Sequence, residues 1–408
     1  MKTELDALMQ ARGLDGLVVV GNADHNPPMT YLTGGGHVSS AVLIKKHGEP
    51  ALLFCNSMER EEAARSGLNV LPLPFAPLRH FLREDAGTMF ARAGLSAGNI
   101  GVYGQADVST VLLALTNLEK ALPELHFVGE SSDDSIFMRA METKDESEVQ
   151  RIRRMGKITT DVVGLVAQYL TSREVGPDEV LFKEDRTPLT IGDVKSRISL
   201  WLAERGAEAP EGFIFAIGRD AGIPHSVGNP DDLLRLGQTI VFDIYPAEAG
   251  GGYFYDFTRS WSLGYATPEA QKLFDEVKTI YDQVGDNLDL NADFRSYQRL
   301  VCEAFERDGH LTPLGTPGTI EGYVHSLGHG LGLNIHERPW SGLSSDNDNL
   351  LRPGVVMTIE PGLYYPERGM GVRIEDSYYV HPDGKMELLA EYPYDFVLKM
   401  QKWSGRKE

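Results

Sequence analysis

The sequence predicts a mixed α/β protein built from two domains. Its 408 residues are two to three times the size of a typical domain. The first third alternates apolar segments of strand length with segments of helical pattern, which is typical of an α/β domain. The remainder contains two β-hairpin patterns with acidic residues on both arms. We place the boundary near residue 140, which gives a smaller domain at 1–140 and a larger one at 141–408.

Short hydrophobic segments and turn residues define the elements of the first domain. The apolar run at 17–20 ends at a Gly-Asn pair, which predicts a buried strand. Residues 41–44 and 51–54 flank a turn that contains Gly and Pro, which predicts a hairpin. The patterns also predict a strand at 99–103 and helices at 5–12, 57–65 and 109–121.

A long amphipathic helix is predicted to open the second domain. Between residues 142 and 169, apolar residues recur mostly three or four apart, which places them on one face of a helix. Two hairpin patterns follow at 239–261 and 355–376, each with two apolar strands joined by a link that contains glycine. Because one layout occurs twice, we expect a pseudo-twofold arrangement of the two hairpins.

The charge of the chain argues against two classes of partner. It has 39 Lys and Arg residues against 59 Asp and Glu residues, a net formal charge of −20. A nucleic-acid-binding protein needs a basic face that displaces counterions from phosphates, and anionic lipids also attract basic segments. We therefore expect no nucleic acid and no membrane as partners, and we interpret the acidic excess mainly as a contribution to solubility.

The cysteine content and the first residues predict a cytoplasmic protein. Cys55 and Cys302 are the two cysteines, too few for a disulfide framework or a thiolate zinc site. The first residues turn acidic at once, without the apolar stretch of a signal peptide. The sequence also has no run of roughly 18 apolar residues, the length that spans a membrane.

Four acidic residues belong to the strands of the two hairpins. Asp243 and Asp256 are 13 positions apart, and Glu360 and Glu375 are 15 apart. Directly opposed residues of a hairpin with an even loop differ by an odd number, so each pair is expected to lie side by side on one sheet face. Desolvating a carboxylate costs several kcal/mol unless it has a partner. Four converging acids therefore require compensating positive charge.

Two kinds of partner would compensate these carboxylates. Arg259 and Arg373 are near enough in the sequence to form ion pairs with individual acids, whereas two divalent metal ions would balance all four. The matched layout of the hairpins favours metals. His329 lies between glycines in the run 326–332, where the backbone can approach a site closely. A nitrogen ligand shifts the choice of metal towards manganese, cobalt or zinc. The run lacks the glutamate after His325 that a zincin helix requires, and it lacks the pattern of a dinucleotide-binding loop.

Six motifs of the second domain form one ordered pattern. They are Ile223-Pro224-His225, Phe242-Asp243, Tyr255-Asp256-Phe257-Thr258-Arg259, Gly328-His329-Gly330-Leu331-Gly332 through His336-Glu337, Ile359-Glu360-Pro361-Gly362 and Arg373-Ile374-Glu375-Asp376. Together they resemble the pita-bread metallopeptidases, which include methionine aminopeptidase, aminopeptidase P, prolidase and creatinase. The resemblance covers roughly residues 145–395 and implies a pita-bread domain of pseudo-twofold β-hairpins covered by helices. Residues 1–140 resemble the N-terminal domain of creatinase, prolidase and aminopeptidase P, and Leu32-Thr33-Gly34 resembles a short motif of that domain.

The resemblance implies a dinuclear metal centre. In such a centre Asp243 would chelate one metal, His329 and Glu360 would hold the other, and Asp256 and Glu375 would bridge the two. Water bound to such metals has a pKa of about 7, and the resulting hydroxide would attack the scissile carbonyl. Manganese is the first choice, with cobalt and zinc as alternatives.

The resemblance also implies roles for residues beyond the ligand positions. Glu360 would additionally move a proton as a general base. His225 and His336 would stabilise the tetrahedral intermediate and assist the departing nitrogen, and Arg373 would orient a ligand carboxylate. Creatinase shares this fold but has its metal ligands replaced. Because all five ligand types are present here, we do not expect a metal-free amidinohydrolase.

The chain departs from the family pattern near the first ligand and before the Glu-Pro-Gly motif. Relatives commonly have Asp-x-Gly where this chain has Asp243-Ile244-Tyr245, and the two aspartates are two residues further apart than usual because of the link at 250–252. Many prolidases also have an arginine before the Glu-Pro-Gly motif that binds the dipeptide carboxylate. Residues 343–351 contain none, and Arg338 is the candidate substitute.

These features predict a Xaa-Pro dipeptidase, or prolidase, acting on a small peptide with proline at the second position. Proline leaves the scissile nitrogen without hydrogen and fixes its shape, so we expect an apolar pocket, for which Tyr323, Trp340 and Tyr364 are candidates. The first alternative is aminopeptidase P, which releases the N-terminal residue of longer Xaa-Pro peptides. The second is a non-catalytic pita-bread protein that binds a peptide or a partner. The resemblance also implies a homodimer.

Overall fold

The computed structural model has the mixed α/β architecture that the sequence predicts, and it describes residues 4–36, 38–73, 86–344, 348–403 and 405. The chain divides into two compact units. The first comprises Met1–Met141 with Gly250–Gly252, and the second comprises Glu142–Ala249 with Tyr253–Glu408. Among the described residues, no helix has the length and apolar character needed to cross a membrane.

Helices alternate with strands along the first unit. Its elements are α1 (Glu4–Ala11), β1 (Gly16–Gly21), α2 (Pro27–Thr33), β2 (Ala41–Lys46), β3 (Leu52–Cys55), α3 (Arg60–Ala64), β4 (Asn69–Pro72), α4 (Ala86–Arg92), β5 (Gly98–Gly104), α5 (Val108–Ala121), β6 (Leu125–Val128) and α6 (Ile136–Met141). The strands form one mixed sheet in the order β4-β3-β2-β1-β5-β6. All six residues of β1 are buried, which explains why its sequence is continuously apolar rather than alternating. β2 and β3 form the predicted hairpin.

The second unit is longer and contains four long helices and most of the strands. Its elements are α7 (Glu146–Thr171), β7 (Glu174–Val175), β8 (Leu181–Phe182), α8 (Ile191–Ala203), β9 (Ala207–Glu208), β10 (Phe213–Ile217), β11 (Thr239–Ile244), β12 (Ala247–Glu248), β13 (Phe257–Leu263), α9 (Pro268–Gly285), α10 (Phe294–Arg307), β14 (His329–Gly330), β15 (Glu337–Trp340), β16 (Val356–Ile359), β17 (Gly362–Tyr365), β18 (Met370–Arg373), β19 (Asp376–Val380), β20 (Met386–Leu388) and β21 (Val397–Leu398). α7 begins four residues later than predicted because Asp145 and Glu148 form a reciprocal capping box at its start.

Two sheets of the second unit carry the two hairpins. Their strand orders are β10-β11-β13-β21 and β15-β14-β16-β19-β20. Within them, β11 pairs antiparallel with β13, and β16 pairs antiparallel with β19. Thr258 and Glu375 join the two hairpins through reciprocal backbone hydrogen bonds of 3.3 and 3.1 Å. The buried apolar faces of α9 and α10 pack with residues of the second sheet in one hydrophobic core, so helices cover the strands that carry the acids.

The strand register agrees with the expected pairing of Glu360 and Glu375, but it shows that Asp243 and Asp256 are not directly opposed. Ile359 lies opposite Asp376, which makes Glu360 and Glu375 the next pair along. Asp243, however, lies opposite Thr258, so Asp256 is two residues away from the expected position and precedes β13. The link between these strands is not a simple loop, because β12 within it pairs with β9.

The second hairpin also differs from its prediction. The segment 372–376 does not form one return strand. Val372 and Arg373 pair with Leu363 and Gly362 in a separate two-stranded sheet of β17 and β18, and β19 begins at Asp376. Glu375 therefore lies in the two-residue junction between β18 and β19.

Candidate metal centre

The five predicted metal ligands line one cavity of about 390 Å³ in the second unit. They come from separate parts of the chain. Asp243 is on β11, Asp256 precedes β13, His329 opens β14, and Glu360 and Glu375 follow β16 and precede β19. The side chains are buried apart from Glu360, which is partly exposed. The two hairpins and the glycine-rich run thus converge on one volume.

The distances within this group leave room for a cation. Asp256, His329 and Glu375 each offer a ligand atom, and these atoms lie within 4.8 Å of one another. The Nε2 atom of His329 is 3.6 Å from Asp256 Oδ2 and 3.6 Å from Glu360 Oε1. These separations are too long for hydrogen bonds and are compatible with atoms that share a metal ion.

The tautomer of His329 suits a metal ligand. Its Nδ1 atom is 3.0 Å from the carbonyl oxygen of Gly330 and donates its hydrogen there, so Nε2 keeps its lone pair facing the acids. Burial, followed by the neighbouring His336, lowers the pKa of His329 to about 3. The imidazole is therefore neutral at neutral pH and free to bind a cation.

The carboxylates are electrostatically unstable without a cation. Burial raises the pKa of Asp256 well above its ordinary value, with Asp243 and Glu360 adding to the shift. Burial and then Asp256 raise the pKa of Glu375 in the same way, and burial raises that of Glu360 to about 8. In addition, Asp243 Oδ1 is buried with no hydrogen-bond partner among the described residues. This set of oxygen donors with one neutral imidazole fits divalent metal ions.

Arg373 connects three groups around the acids. Its guanidinium donates to Asp243 Oδ2 at 2.5 Å, to Thr258 Oγ1 at 3.2 Å and to the hydroxyl of Tyr364 at 2.7 Å. Thr258 in turn donates to Glu375 Oε2 at 2.7 Å. Arg373 thus orients Asp243 directly and Glu375 through Thr258. Sequence reasoning did not identify Thr258, although its odd separation from Asp243 places both on one face of the hairpin.

Three further histidines line the same cavity. His225 and His336 were predicted, and the ring of His336 lies 4.3 Å from that of His329. His325 was not predicted as functional. Its Nε2 atom is 2.8 Å from the hydroxyl of Tyr364, and its Nδ1 atom is 3.8 Å from Glu360 Oε2. Burial, followed by Arg373, lowers the pKa of His325 to about 3, so it faces Glu360 as a neutral ring.

Two family profiles match the chain. The metallopeptidase family M24 profile matches residues 150–382, and the creatinase/prolidase N-terminal domain profile matches residues 2–133. The chain belongs to metallopeptidase family M24. The putative dipeptidase YkvY of Bacillus subtilis is 27% identical to it over 383 residues, which cover 90% of this chain and 92% of that relative. Family M24 uses divalent metals, and a site for such metals would explain why the acidic residues are grouped around His329.

Solved structures share the fold of this M24 peptidase. A Xaa-Pro dipeptidase from Bacillus anthracis superposes with a TM-score of 0.77 at 19% identity, covering 96% of this chain and 97% of that one. An X-Pro aminopeptidase from Thermotoga maritima superposes with a TM-score of 0.74 at 20% identity, covering 94% and 97%. The fold is thus confirmed as a creatinase-type N-terminal domain followed by a pita-bread domain.

The structure places one of the four candidate substrate residues in the cavity wall. Trp340 lines the cavity of the M24 peptidase. Tyr364 is not a lining residue, but its hydroxyl is hydrogen-bonded to Arg373 and His325, which are. Tyr323 and Arg338 are not among the lining residues. Tyr323 is fully buried and donates to Gln298. Arg338 is buried and forms an ion pair with Glu142 at 3.2 Å, so its charge is already compensated inside the protein.

We expect Thr258→Val to destabilise the metal-free peptidase by about 1–3 kcal/mol, because valine keeps the shape but leaves Glu375 and Arg373 without a shared partner. Metal affinity should fall about tenfold or more, as for other groups that orient ligands. Denaturant unfolding of the chelated protein and calorimetric metal titration measure the two effects. Thr279→Val, on the exposed face of α9, is the control. If both variants gave the same small changes, Thr258 would have no positioning role.

Proposed function

We propose that this M24 peptidase is a Xaa-Pro dipeptidase with a dinuclear metal centre. The observation that carries the proposal is the convergence of the five donors Asp243, Asp256, His329, Glu360 and Glu375 on one cavity. Asp243 would help to hold one ion and His329 and Glu360 the other, with Asp256 and Glu375 as further carboxylate donors. When bound, two divalent ions, manganese first and cobalt or zinc as alternatives, would supply a hydroxide nucleophile at neutral pH and polarise the scissile carbonyl.

The side chains of the cavity supply positioning and proton transfer. Glu360 is the proposed general base, since its carboxyl group lines the cavity beside the other proposed ligands. His225 and His336 line the cavity as well and are the proposed donors to the tetrahedral intermediate and the departing nitrogen. Arg373 and Thr258 hold two of the carboxylates in fixed orientations, which spares reorganisation during the reaction.

The cavity suits a small peptide. Its volume of about 390 Å³ lies at the low end of the range for small-molecule sites. Trp340, Ile214 and Ile335 give it an apolar wall against which a proline ring can pack. The names of the compared dipeptidases and X-Pro peptidases agree with this substrate class. We also propose a cytoplasmic homodimer, on the basis of the sequence and the family resemblance.

One observation favours a second candidate, aminopeptidase P. A dipeptidase must bind the carboxylate of its short substrate, and the sequence candidate for this role, Arg338, is paired with Glu142. A peptidase that accepts longer Xaa-Pro peptides does not need such a group near the second residue. The substrate length therefore separates the two activities.

The test compares Leu-Pro, Leu-Ala and Leu-Pro-Ala-Ala on protein that has been chelated and reconstituted separately with manganese, cobalt and zinc. For a dipeptidase we expect cleavage of Leu-Pro at least about tenfold better than of the other two peptides, a difference of about 1.4 kcal/mol in transition-state binding. Comparable leucine release from the longer peptide would assign aminopeptidase P instead. No release from either proline peptide would defeat the Xaa-Pro proposal.

A further inference from the structure

One carboxylate outside the proposed ligand set also lines the cavity. The side chain of Glu211 is exposed, and it belongs to the cavity wall together with Tyr245 and Ile214. Glu211 makes no hydrogen bond or ion pair within the part of the chain that the structure describes. Its charge faces the cavity, where it acts electrostatically on His336 and is also available to a bound molecule.

The local backbone explains why Glu211 and Tyr245 share this wall. Ile214 of β10 lies opposite the ligand Asp243 of β11, and the same register places Gly212 opposite Tyr245. Gly212 has a φ of +82°, in the left-handed region that glycine adopts without strain. This conformation ends the strand alternation, so that the side chain of Glu211 lies on the cavity side.

The chemistry of the wall selects for positive charge. A carboxylate next to an aromatic ring is a combination that binds ammonium or guanidinium groups. Among the described residues of the cavity, Arg373 is the single Lys or Arg side chain, and it is already bonded to Asp243 and Thr258. The four ligand acids would be balanced by two divalent ions, whereas Glu211 has no such partner.

We propose that Glu211 and Tyr245 form a subsite for a cationic group of the substrate's N-terminal residue. The assignment to that residue rests on the proposed function, because a proline at the second position carries no positive charge. Two sources of the cation share this chemistry: the α-ammonium group that every substrate has, and the side chain of an N-terminal lysine or arginine. The subsite would thus contribute either general affinity or a preference for basic residues.

The test compares Lys-Pro with norleucyl-Pro on the metal-reconstituted enzyme and its Glu211→Gln variant, since the two side chains differ by a terminal ammonium. If the side chain is bound, the parent favours Lys-Pro by about fivefold in kcat/KM and the variant loses this preference. If the α-ammonium is bound, the variant cleaves both peptides about fivefold less well, chiefly through KM. Tyr245→Leu should reduce the same effect by about threefold. Values for Glu211→Gln within twofold of the parent on both peptides would overturn the subsite.

A binding measurement separates failure of the subsite from failure of the proposed function. The loaded protein is titrated with L-lysine and L-norleucine, which requires no hydrolysis. Tighter binding of lysine, lost in Glu211→Gln, supports a side-chain subsite even if neither dipeptide is cleaved, and equal weakening of both ligands supports the α-ammonium source. Unchanged binding of both ligands overturns the proposal. Glu303→Gln, an exposed acid on α10, is the matched control and should behave as the parent.

Discussion

Replacing Asp256 by Asn should lower peptide hydrolysis by at least about a thousandfold, a loss of about 4 kcal/mol in transition-state stabilisation. Asp256 is buried and lies between His329 and the acids of the other hairpin, with its Oδ2 atom 3.6 Å from His329 Nε2. An amide has nearly the same shape, but it lacks the negative charge and the second oxygen with which a carboxylate can contact two cations. Removing one donor of a shared centre disturbs both proposed ions, so we expect the loss to exceed that of a surface carboxylate by orders of magnitude.

The experiment has two readouts. Metal bound per chain is measured after dialysis, and kcat/KM is measured in excess metal to distinguish weak binding from impaired chemistry. Asp231→Asn, which changes an exposed aspartate of the same unit, should retain the parent's metal content and rate. A variant Asp256→Asn that bound two ions per chain and hydrolysed peptide as fast as the parent would exclude Asp256 from the metal centre.

Local sequence patterns predicted the ligand-bearing strands because short apolar runs of strand length are typical of buried strands. The runs around Asp243 and Glu360 are of this kind, and their strands are buried throughout. Parity then predicted Glu360 and Glu375 as neighbours, and the register of β16 and β19, continued by one position beyond Ile359 and Asp376, agrees. The same argument failed for Asp243 and Asp256, because β12 in their link pairs with β9, an interaction that the hairpin sequence does not contain.

Long-range partners were beyond the reach of the sequence. Arg338 looked available for a substrate carboxylate, but Glu142, 196 positions away in the chain, neutralises it in the interior. The side chain of Thr258 is hydrogen-bonded to Arg373 and Glu375, each more than 100 positions away in the sequence. No sequence motif predicts these hydrogen bonds. The position of Glu211 likewise depends on the left-handed Gly212, which a sequence pattern does not distinguish from any other turn glycine.

The second large effect concerns the stability of the metal-free protein between pH 6.5 and 8. In that state burial, followed by the neighbouring acids, raises the pKa values of Asp256 and Glu375, and burial raises that of Glu360 to about 8. An acid with a raised pKa in the folded state holds more protons there than in the unfolded chain. Its contribution to the free energy of unfolding is therefore lost as pH rises. The loss is about 1.4 kcal/mol for each unit by which the pKa in the folded state exceeds that in the unfolded state.

The histidines act in the opposite direction but in a lower pH range. His325 and His329 have their pKa values lowered from 6.5 to about 3, so the unfolded chain binds more protons than the folded one between these values. Their contribution rises with pH up to about 6.5 and is then complete. Above pH 6.5 the histidine contribution levels off while that of the buried acids continues to fall, so we expect the free energy of unfolding of the chelated protein to decrease towards pH 8.

Bound metal should reverse this slope. Protons and cations compete for the same carboxylates, so metal binding strengthens as pH rises, and a ligand that binds the folded state adds stability in proportion to its affinity. Denaturant unfolding at several pH values, with chelator and with saturating manganese, gives the two curves. Chelated Glu360→Gln should show a shallower slope, because one titrating group is gone, whereas chelated Asp231→Asn should follow the parent. A chelated protein whose stability rose between pH 6.5 and 8 would show that these acids are not held protonated, and the electrostatic case for two cations at this site would fail.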